Sequence, residues 1–389
     1  MDQRVIPEQE TGSLSVASRT IVLRDRVVTG TIHIENGVIV AVEEDYISPQ
    51  AHDLGEDILI PGLVELHTDH LEPHFAPRPK VHWDPVSAVF SYDAQIAASG
   101  ITTVFDSLRA GRDADRNALS SGLELLGRAI EQAKSTGLLR ADHHTHLRCE
   151  ICSDNVLEEA LSHVDEFDVR LISLMDHTPG ARQFRDEEKL RIYYRGKASK
   201  TDAELDAYFA ERKSLHAKFH DIHRPALIEM ATSRGIAMAS HDDTTVSHVV
   251  ESVQAGVSIA EFPTTIEAAE ASHKAGLAVL MGAPNVVRGG SHSGNVSAIA
   301  LAEAGYLDIL SSDYVPSSLI DGAFALRDVQ AVGGLAGAIR LVTHNPAKAT
   351  GMADRGAIAA GLRGDLVRVR LIGNRPIIVN VFRQGLRVA

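Results

Sequence analysis

The run Ile58-Leu59-Ile60-Pro61-Gly62-Leu63-Val64-Glu65-Leu66 leads directly into His67-Thr68-Asp69. In a strand, residues i and i+2 point to the same face, so His67 and Asp69 project together. An imidazole nitrogen and a carboxylate oxygen at that spacing can grip one divalent cation. A strand followed by a polar turn would account for the same two residues, but the pattern recurs. Asp142-His143-His144-Thr145-His146-Leu147-Arg148-Cys149-Glu150 finishes in Glu150, and Leu171-Ile172-Ser173-Leu174-Met175 runs into Asp176-His177. Ala237-Met238-Ala239-Ser240 runs into His241-Asp242-Asp243, and Leu307-Asp308-Ile309-Leu310-Ser311-Ser312 into Asp313. Burying that many ionisable groups is costly unless they pair or bind a cation.

The elements that must position these residues follow from apolar periodicity. Eight short apolar runs, at 58–66, 101–105, 142–147, 169–175, 236–240, 258–262, 278–281 and 307–311, are each separated by enough chain for a crossover helix. That alternation predicts a parallel sheet with helices outside, and eight units predict an α/β fold of the (β/α)8 TIM-barrel type. An open doubly wound sheet is the alternative, but no Gly-x-Gly-x-x-Gly follows the first strand. Functional side chains of such a barrel stand at the C-terminal ends of its strands, where the five clusters fall. Both chain ends instead read as short strands, with turn signals at Glu35-Asn36-Gly37 and Gly373-Asn374. The expected organisation is a small β-sandwich-like domain built from 1–57 and 351–389 around a barrel over 58–350.

The segment 182–234 is longer than an ordinary crossover. Thr201 and Glu204 make a capping box, and Leu205, Tyr208, Phe209, Leu215, Phe219 and Ile222 fall near one helical face. Pro225 is expected to end or kink that helix. The segment reads as a helical insertion over the barrel mouth, or as an oligomer contact.

Composition narrows the function. With 389 residues, 44% hydrophobic and 23% charged, the chain has the profile of a soluble globular protein. No apolar run approaches a membrane span, and Met1 to Glu10 lack the apolar core of a secretory signal. Two cysteines fit a reducing cytoplasm. Cys149-x-x-Cys152 has no second pair for a structural zinc and does not open a helix that would activate its thiols, so neither role is expected. A net charge of -14 argues against a nucleic-acid partner. It leaves room for a small anion, since charges beyond a Debye length of about 8 Å are screened. The 19 histidines make a metal site the first feature to seek.

Taken together, the motifs resemble the amidohydrolase superfamily, in which a small β-domain from both termini flanks a barrel holding one or two metals. Thr343-His344-Asn345-Pro346-Ala347, Arg355-Gly356-Ala357-Ile358, Gly361 and Gly364-Asp365-Leu366-Val367 are similar to the way that superfamily returns to its β-domain. A narrower resemblance covers nearly all of 58–350. It is carried by Glu65-Leu66-His67-Thr68-Asp69, Pro77-Arg78-Pro79-Lys80-Val81, Ser99-Gly100-Ile101-Thr102-Thr103-Val104 and His146-Leu147-Arg148-Cys149-Glu150. It continues in Leu174-Met175-Asp176-His177-Thr178-Pro179-Gly180, Ala239-Ser240-His241-Asp242-Asp243 and Ala260-Glu261-Phe262-Pro263-Thr264-Thr265. It ends in Met281-Gly282-Ala283-Pro284-Asn285, Arg288-Gly289-Gly290-Ser291-His292-Ser293-Gly294-Asn295 and Leu310-Ser311-Ser312-Asp313-Tyr314. These resemble the diphosphatase family of the carbon–phosphorus lyase pathway. That resemblance implies hydrolysis of α-D-ribose 1-methylphosphonate 5-triphosphate to pyrophosphate and the 5-phosphate.

Two departures stand out. The superfamily commonly opens with His-x-His, where this chain has His67-Thr68-Asp69. Many members bridge two metals with a carboxylated lysine; here Glu150 stands in its place. The resemblance then implies His67, Asp69, Glu150, His177, His241 and Asp313 as ligands of one or two divalent ions. Zinc comes first, with manganese or iron also suited to the set. His146 and Asp176 are rivals for the places given to Asp69 and His177. Asp313 is the expected proton shuttle, or a ligand only, and Glu150 the bridging carboxylate.

A substrate with a triphosphate and a phosphonate needs cations at both ends. Arg78, Lys80, Arg148, Arg182 and Arg288 lie just after strand ends or in neighbouring loops. Arg288-Gly289-Gly290-Ser291 offers a guanidinium fork, approachable backbone N–H groups and a hydroxyl. Without a phosphate to bind, it and Pro77-Arg78-Pro79-Lys80 are only exposed loops. His82 and His292 are further phosphate donors or ligands of an extra metal on the same terms. The expected partner is a small phosphorylated sugar, with no nucleic acid or membrane; homo-oligomerisation stays open. The competing function is a carbon–nitrogen hydrolase on the same barrel, which has no need of several arginines at the mouth. A non-catalytic barrel would have lost ligands, and none is lost.

Overall fold

Gly62 separates two strands that the sequence reads as one. In the computed structural model, which describes residues 12–111, 122–182, 187, 190–191, 201–290 and 294–389, the run 58–66 is divided between two sheets. The amino-terminal strands are β1 (Ser13–Val22), β2 (Val27–Glu35), β3 (Val38–Glu44), β4 (His52–Asp53) and β5 (Ile58–Pro61). Then come β6 (Leu63–Thr68), β7 (Ile101–Ala110), β8 (Asp142–Glu150), β9 (Val169–Met175), β10 (Ala237–His241), β11 (Ile259–Glu261), β12 (Ala278–Gly282) and β13 (Ile309–Ser311). The chain closes with β14 (Leu366–Ile372), β15 (Arg375–Arg383) and β16 (Leu386–Arg387). A Cβ at Gly62 would lie 2.2 Å from Thr102 Oγ1, so only glycine lets β5 hand over to β6 there. Its N–H donates to the Asp365 carbonyl at 2.8 Å.

The chain divides into two compact units. One draws on Met1–Asp106, Gln132–His144 and Met281–Ala389, the other on Ser107–Glu131 and Thr145–Leu280. In the first, strands from both chain ends form one sheet in the order β16-β15-β14-β5-β1-β2-β3, with β4 beside β1. Antiparallel pairing of β14 with β5 joins the two ends. Alternate residues such as Leu14 and Val16, Ile32 and Ile34 share one buried cluster with Leu59, Leu366 and Phe382, the period-2 signature of a sheet with one covered face. The β2–β3 hairpin turns on Asn36 (φ 48°) and Gly37 (φ 82°), the paired positive φ that a tight hairpin demands.

The other sheet has the strand order β13-β12-β11-β10-β9-β8-β7-β6 with parallel pairing. A parallel bridge between Thr68 and Asp313 brings its two ends together in a nearly closed barrel. The α/β barrel expectation is therefore met, with seven of the eight strand starts within two residues of the predicted ones.

In the second unit, the crossover from β9 to β10 carries the helix Asp202–Ser233, opened by the Thr201–Glu204 capping box. Leu205, Tyr208 and Phe209 pack with Leu190. Further along, the buried face is continued by Arg212, His223, Leu227, Met230 and Ala231, while Ile222 is 62% exposed. Pro225 lies inside the helix and does not end it. Its local cost of about 3 kcal/mol is offset by the apolar burial that follows. No helix among the described residues is long and apolar enough to cross a membrane.

Asp57 clamps the two chain ends together. It is buried against Arg368 (2.6 Å) and Arg370 (2.8 Å) of β14. Burial alone would raise its carboxyl, but the two guanidiniums outweigh burial and hold it below the ordinary range. A carboxyl depressed in the folded state contributes stability above its unfolded pKa and loses that contribution as pH falls through the folded value. Asp57→Asn is expected to cost about 3 kcal/mol at pH 7 and progressively less below about pH 4. Denaturant melts of both proteins across that range measure it, and a difference independent of pH would trace the loss to packing.

Candidate metal centre and anion-binding loops

In the first unit, the alternation of β6 places Glu65, His67 and Asp69 on one face. Glu65 and His67 are buried; Asp69, one residue beyond the strand, is half-buried. The main chain stitches this turn to the one after β13. Asp313 N–H donates to the His67 carbonyl at 3.1 Å, and Asp69 N–H to the Asp313 carbonyl at 3.3 Å. Asp313 itself is in the left-handed region (φ 54°), a strained conformation for a non-glycine residue and one found disproportionately at functional sites. Beneath it, Glu65 accepts from the N–H of His67 (2.6 Å) and of Ser312 (2.5 Å). Burial pushes its carboxyl up to about 8, against these hydrogen bonds and with the Asp313 charge adding.

In the second unit, Glu150 closes β8, His177 follows β9 and His241 closes β10. Glu150 Oε2 accepts from His177 Nδ1 at 2.6 Å and Oε1 from Arg212 at 2.9 Å. Burial would raise this carboxyl, but the His177 and Arg212 charges outweigh it and hold it below the ordinary range. His241 Nδ1 lies 2.7 Å from Asp242 Oδ2, and His177 Nε2 lies 3.9 Å from the same oxygen. The two imidazoles stand 5.6 Å apart, nearly perpendicular. Potential ligand atoms of His177, His241 and Asp242 all fall within 4.8 Å of one another, close enough to share one cation.

Three residues of this region were not singled out from sequence. Asp242, at φ 58°, is buried and turned back towards His241; the His-Asp-Asp run at a strand end was its signal. Glu261 ends β11, fully buried, and accepts from Ser173 Oγ at 2.5 Å. It makes a sixth strand end with an ionisable group, hidden in a strand of only three residues. Arg212 lies 62 residues from Glu150, and nothing local in sequence marks it.

The rivals separate clearly. His146 sits inside β8, buried, with Nδ1 3.2 Å from Ser107 Oγ and Nε2 2.5 Å from Ser173 Oγ. Asp176 turns to Thr178, Cys152 and His216. Of the cations, Arg148 is not in a mouth loop: it lies in β8, buried, two residues before Glu150 on the same face. Arg182 is buried and paired with Asp243, whose carboxylate also accepts from Ser240 (2.6 Å) and Ser252 (3.1 Å). It is therefore committed to the protein's own acid.

Arg78, Lys80 and Arg288 are exposed, and among the described residues none meets a carboxylate. Arg288 ends the helix Ala283–Arg288, with its guanidinium 3.4 Å from the hydroxyl of Tyr314, the residue after Asp313. Gly289 (φ 80°) caps that helix in the left-handed conformation glycine permits. His82 stacks on Phe75 at 5.0 Å. Ser291 and His292 lie outside the described residues.

A nearly closed parallel barrel whose strands end in imidazoles and carboxylates, beside an antiparallel sheet from both termini, defines the chain as an amidohydrolase-superfamily fold. Two solved structures share it at low identity. One is N-acetyl-D-glucosamine-6-phosphate deacetylase from Mycobacterium smegmatis, 16% identical over 97% of this chain and 100% of that one, TM-score 0.63. The other is N-isopropylammelide isopropylaminohydrolase from Burkholderia multivorans, 15% identical over 96% and 98%, TM-score 0.61. No protein-family model matches the chain. The alpha-D-ribose 1-methylphosphonate 5-triphosphate diphosphatase of Escherichia coli (strain K12) is 49% identical over 370 residues, 95% of this chain and 98% of the relative. The chain belongs to that diphosphatase family and is a hydrolase.

The Arg212–Glu150 pair is open to test. Removing one partner of a buried ion pair strands the other charge, at about 3–5 kcal/mol. Arg212→Met is expected to destabilise chelator-treated protein by that order in a denaturant melt, and Arg212→Lys by less. A loss below about 1 kcal/mol would mean that His177 alone holds Glu150.

Proposed function

We propose that this protein hydrolyses α-D-ribose 1-methylphosphonate 5-triphosphate, releasing pyrophosphate and leaving the 5-phosphate. One or two divalent ions, zinc first, would be held by His67, Asp69, Glu150, His177, His241 and Asp313. The observation that carries the reading is the 49% identity to the E. coli diphosphatase over nearly the full length of both chains. The donor set fits: imidazoles and carboxylates at strand ends suit zinc, manganese or iron. The convergence of His177, His241 and Asp242 adds Asp242 to the candidates. In this reading 58–350 is the catalytic barrel and 1–57 with 351–389 the small β-domain. The two free, buried cysteines support the cytoplasm as its compartment.

A divalent cation bound there would lower the pKa of a water and offset phosphoryl charge. The chain's own residues do the rest. Asp313 accepts the proton of the attacking water at its carboxylate, held in place by its strained backbone and the main-chain bonds to His67 and Asp69. Asp242 orients His241, and Glu150 orients His177, each through Nδ1, which would give Nε2 to a cation. Glu150 would also serve as the bridging carboxylate if two ions are bound. Arg288 and the Ser291 hydroxyl take one phosphate group; the N–H groups of Gly289 and Gly290, expected to join them, donate instead to the carbonyls of Val286 and Asn285 as the helix cap. Arg78 and Lys80 take another anionic end, while Arg148 adds positive charge from inside the barrel. Water adds across the α–β anhydride, that P–O bond breaks, and pyrophosphate leaves intact.

Phosphorus NMR of the products tests the reaction. Pyrophosphate and a 5-phosphate are expected from the ribose 1-phosphonate triphosphate, with a plain nucleoside triphosphate turned over more slowly because it lacks the binding energy of the phosphonate end. Orthophosphate as the first product, or no turnover beside efficient cleavage of an amide, would overturn it in favour of a carbon–nitrogen hydrolase. Arg288→Ala is expected to raise KM for the triphosphate or lower kcat, with stability changed by less than about 0.5 kcal/mol, as for an exposed side chain. Unchanged kinetics with a large stability loss would make Arg288 structural.

A further inference from the structure

Cys152, Asp176 and His216 meet in the second unit and have no part in the reaction proposed above. Cys152 follows the end of β8 by two residues, Asp176 is the first residue after β9, and His216 projects from the helix Asp202–Ser233. Cys152 and Asp176 are buried; the His216 side chain is 37% exposed, which leaves a path from solvent. Cys152 Sγ lies 3.4 Å from Asp176 Oδ1 and 3.4 Å from His216 Nδ1, and His216 Nδ1 lies 3.0 Å from Asp176 Oδ2. Thr178 Oγ1 stands 3.5 Å from the same nitrogen.

We propose that Cys152 Sγ, the Asp176 carboxylate and His216 Nδ1 form a second transition-metal site, of the zinc class, distinct from the candidate catalytic centre. Three arguments carry it. Zn–S of about 2.3 Å and Zn–N or Zn–O of about 2.0–2.2 Å at tetrahedral angles put ligand atoms about 3.3–3.6 Å apart; both sulfur contacts have that spacing, and the 3.0 Å contact of His216 with Asp176 has to open by a few tenths of an ångström. The donors match too, since thiolate, imidazole and carboxylate together suit zinc and its neighbours. Finally, His216 Nδ1 has a single proton or a single lone pair, yet three polar atoms crowd it. Nδ1 can bond only one of them, and the Cys152 thiol donates separately to Asp176 Oδ1, whereas one cation would serve sulfur, nitrogen and carboxylate together. Water or the Thr178 hydroxyl completes the fourth position, and binding displaces the thiol proton and any proton on His216 Nδ1.

The ion would tie the helix to the ends of β8 and β9. Arg212, which reaches Glu150, sits one turn before His216 on that helix, at i and i+4. A pinned His216 fixes where the Arg212 guanidinium arrives. The role is one of positioning, and it stands independently of which substrate the barrel takes.

The test uses the full chain, stripped with a chelator and titrated with Co²⁺. Every ligand proposed for the catalytic centre is a nitrogen or oxygen donor, so a thiolate-to-cobalt charge-transfer band in the near ultraviolet reports only on a cysteine site. The band is expected in the unaltered protein and in Cys149→Ser, and is expected to vanish in Cys152→Ser. Should Cys152→Ser not fold, His216→Asn on the helix surface decides, with loss or shift of the band expected. Absence of the band in protein that has taken up Co²⁺, its survival in folded Cys152→Ser, or an unaltered band in His216→Asn would each overturn the site and leave the cluster as a hydrogen-bonded one.

Discussion

Closure of the parallel sheet between Thr68 and Asp313 is the contact on which the first unit's part of the site depends. An open sheet leaves a row of unpaired N–H and C=O groups at each edge. Here the bonds from Asp313 N–H to His67 and from Asp69 N–H to Asp313 satisfy those groups. They do so at the very residues whose side chains are the ligand candidates. Backbone pairing and ligand placement are thus one interaction: the bond that closes the barrel also sets the positions of His67, Asp69 and Asp313. The left-handed backbone of Asp313 is tolerated because the closure over-determines it.

The same economy governs the buried charges. Glu150 has His177 and Arg212, Asp243 has Arg182 and two serines, and His143 lies between Asp93 (3.2 Å) and Asp106 (2.9 Å). Burial works against the charged form of His143, yet the two acids carry its pKa up to about 9. Each of these groups has an opposite charge within reach, so none is left to be neutralised by desolvation. The exposed cations Arg78, Lys80 and Arg288 are different. Among the described residues no carboxylate meets them, as suits a group kept for an external anion.

Much of this was legible from residue order. Period-2 alternation and turn chemistry fix the terminal strands, and the eight apolar runs fix the barrel, because both are consequences of local geometry. The reading failed where one local pattern hid two environments. Ile58 to Val64 is apolar throughout, and only the close approach of Gly62 to Thr102 and the division between two sheets show that the chain changes sheets there. In Asp142 to Glu150, six of the nine side chains are Asp, His, Arg or Glu, but strand alternation sends His146, Arg148 and Glu150 to one face and His143 to the other. For that reason Arg148, which residue order places just after a strand end or in a neighbouring loop, is a buried strand residue. Arg212 was beyond reach, since a contact across 62 residues leaves no periodic trace.

The helix Asp202–Ser233 shows why hydrophobic periodicity alone under-reads a functional element. Its first turns obey the rule, with Leu205, Tyr208 and Phe209 buried together. One turn later the same face presents Arg212 to Glu150, then His216 to Asp176, then His223 to the carbonyl of Ile151 at 3.0 Å. These polar residues continue the stripe at helical spacing, and an apolar count assigns them to solvent. The stripe did not stop; its chemistry changed from apolar packing to charge pairing because it passes over strand ends that are themselves ionised. Ile222 was recruited to the buried face by that count, yet it is exposed, because His223 already holds the position that faces the barrel.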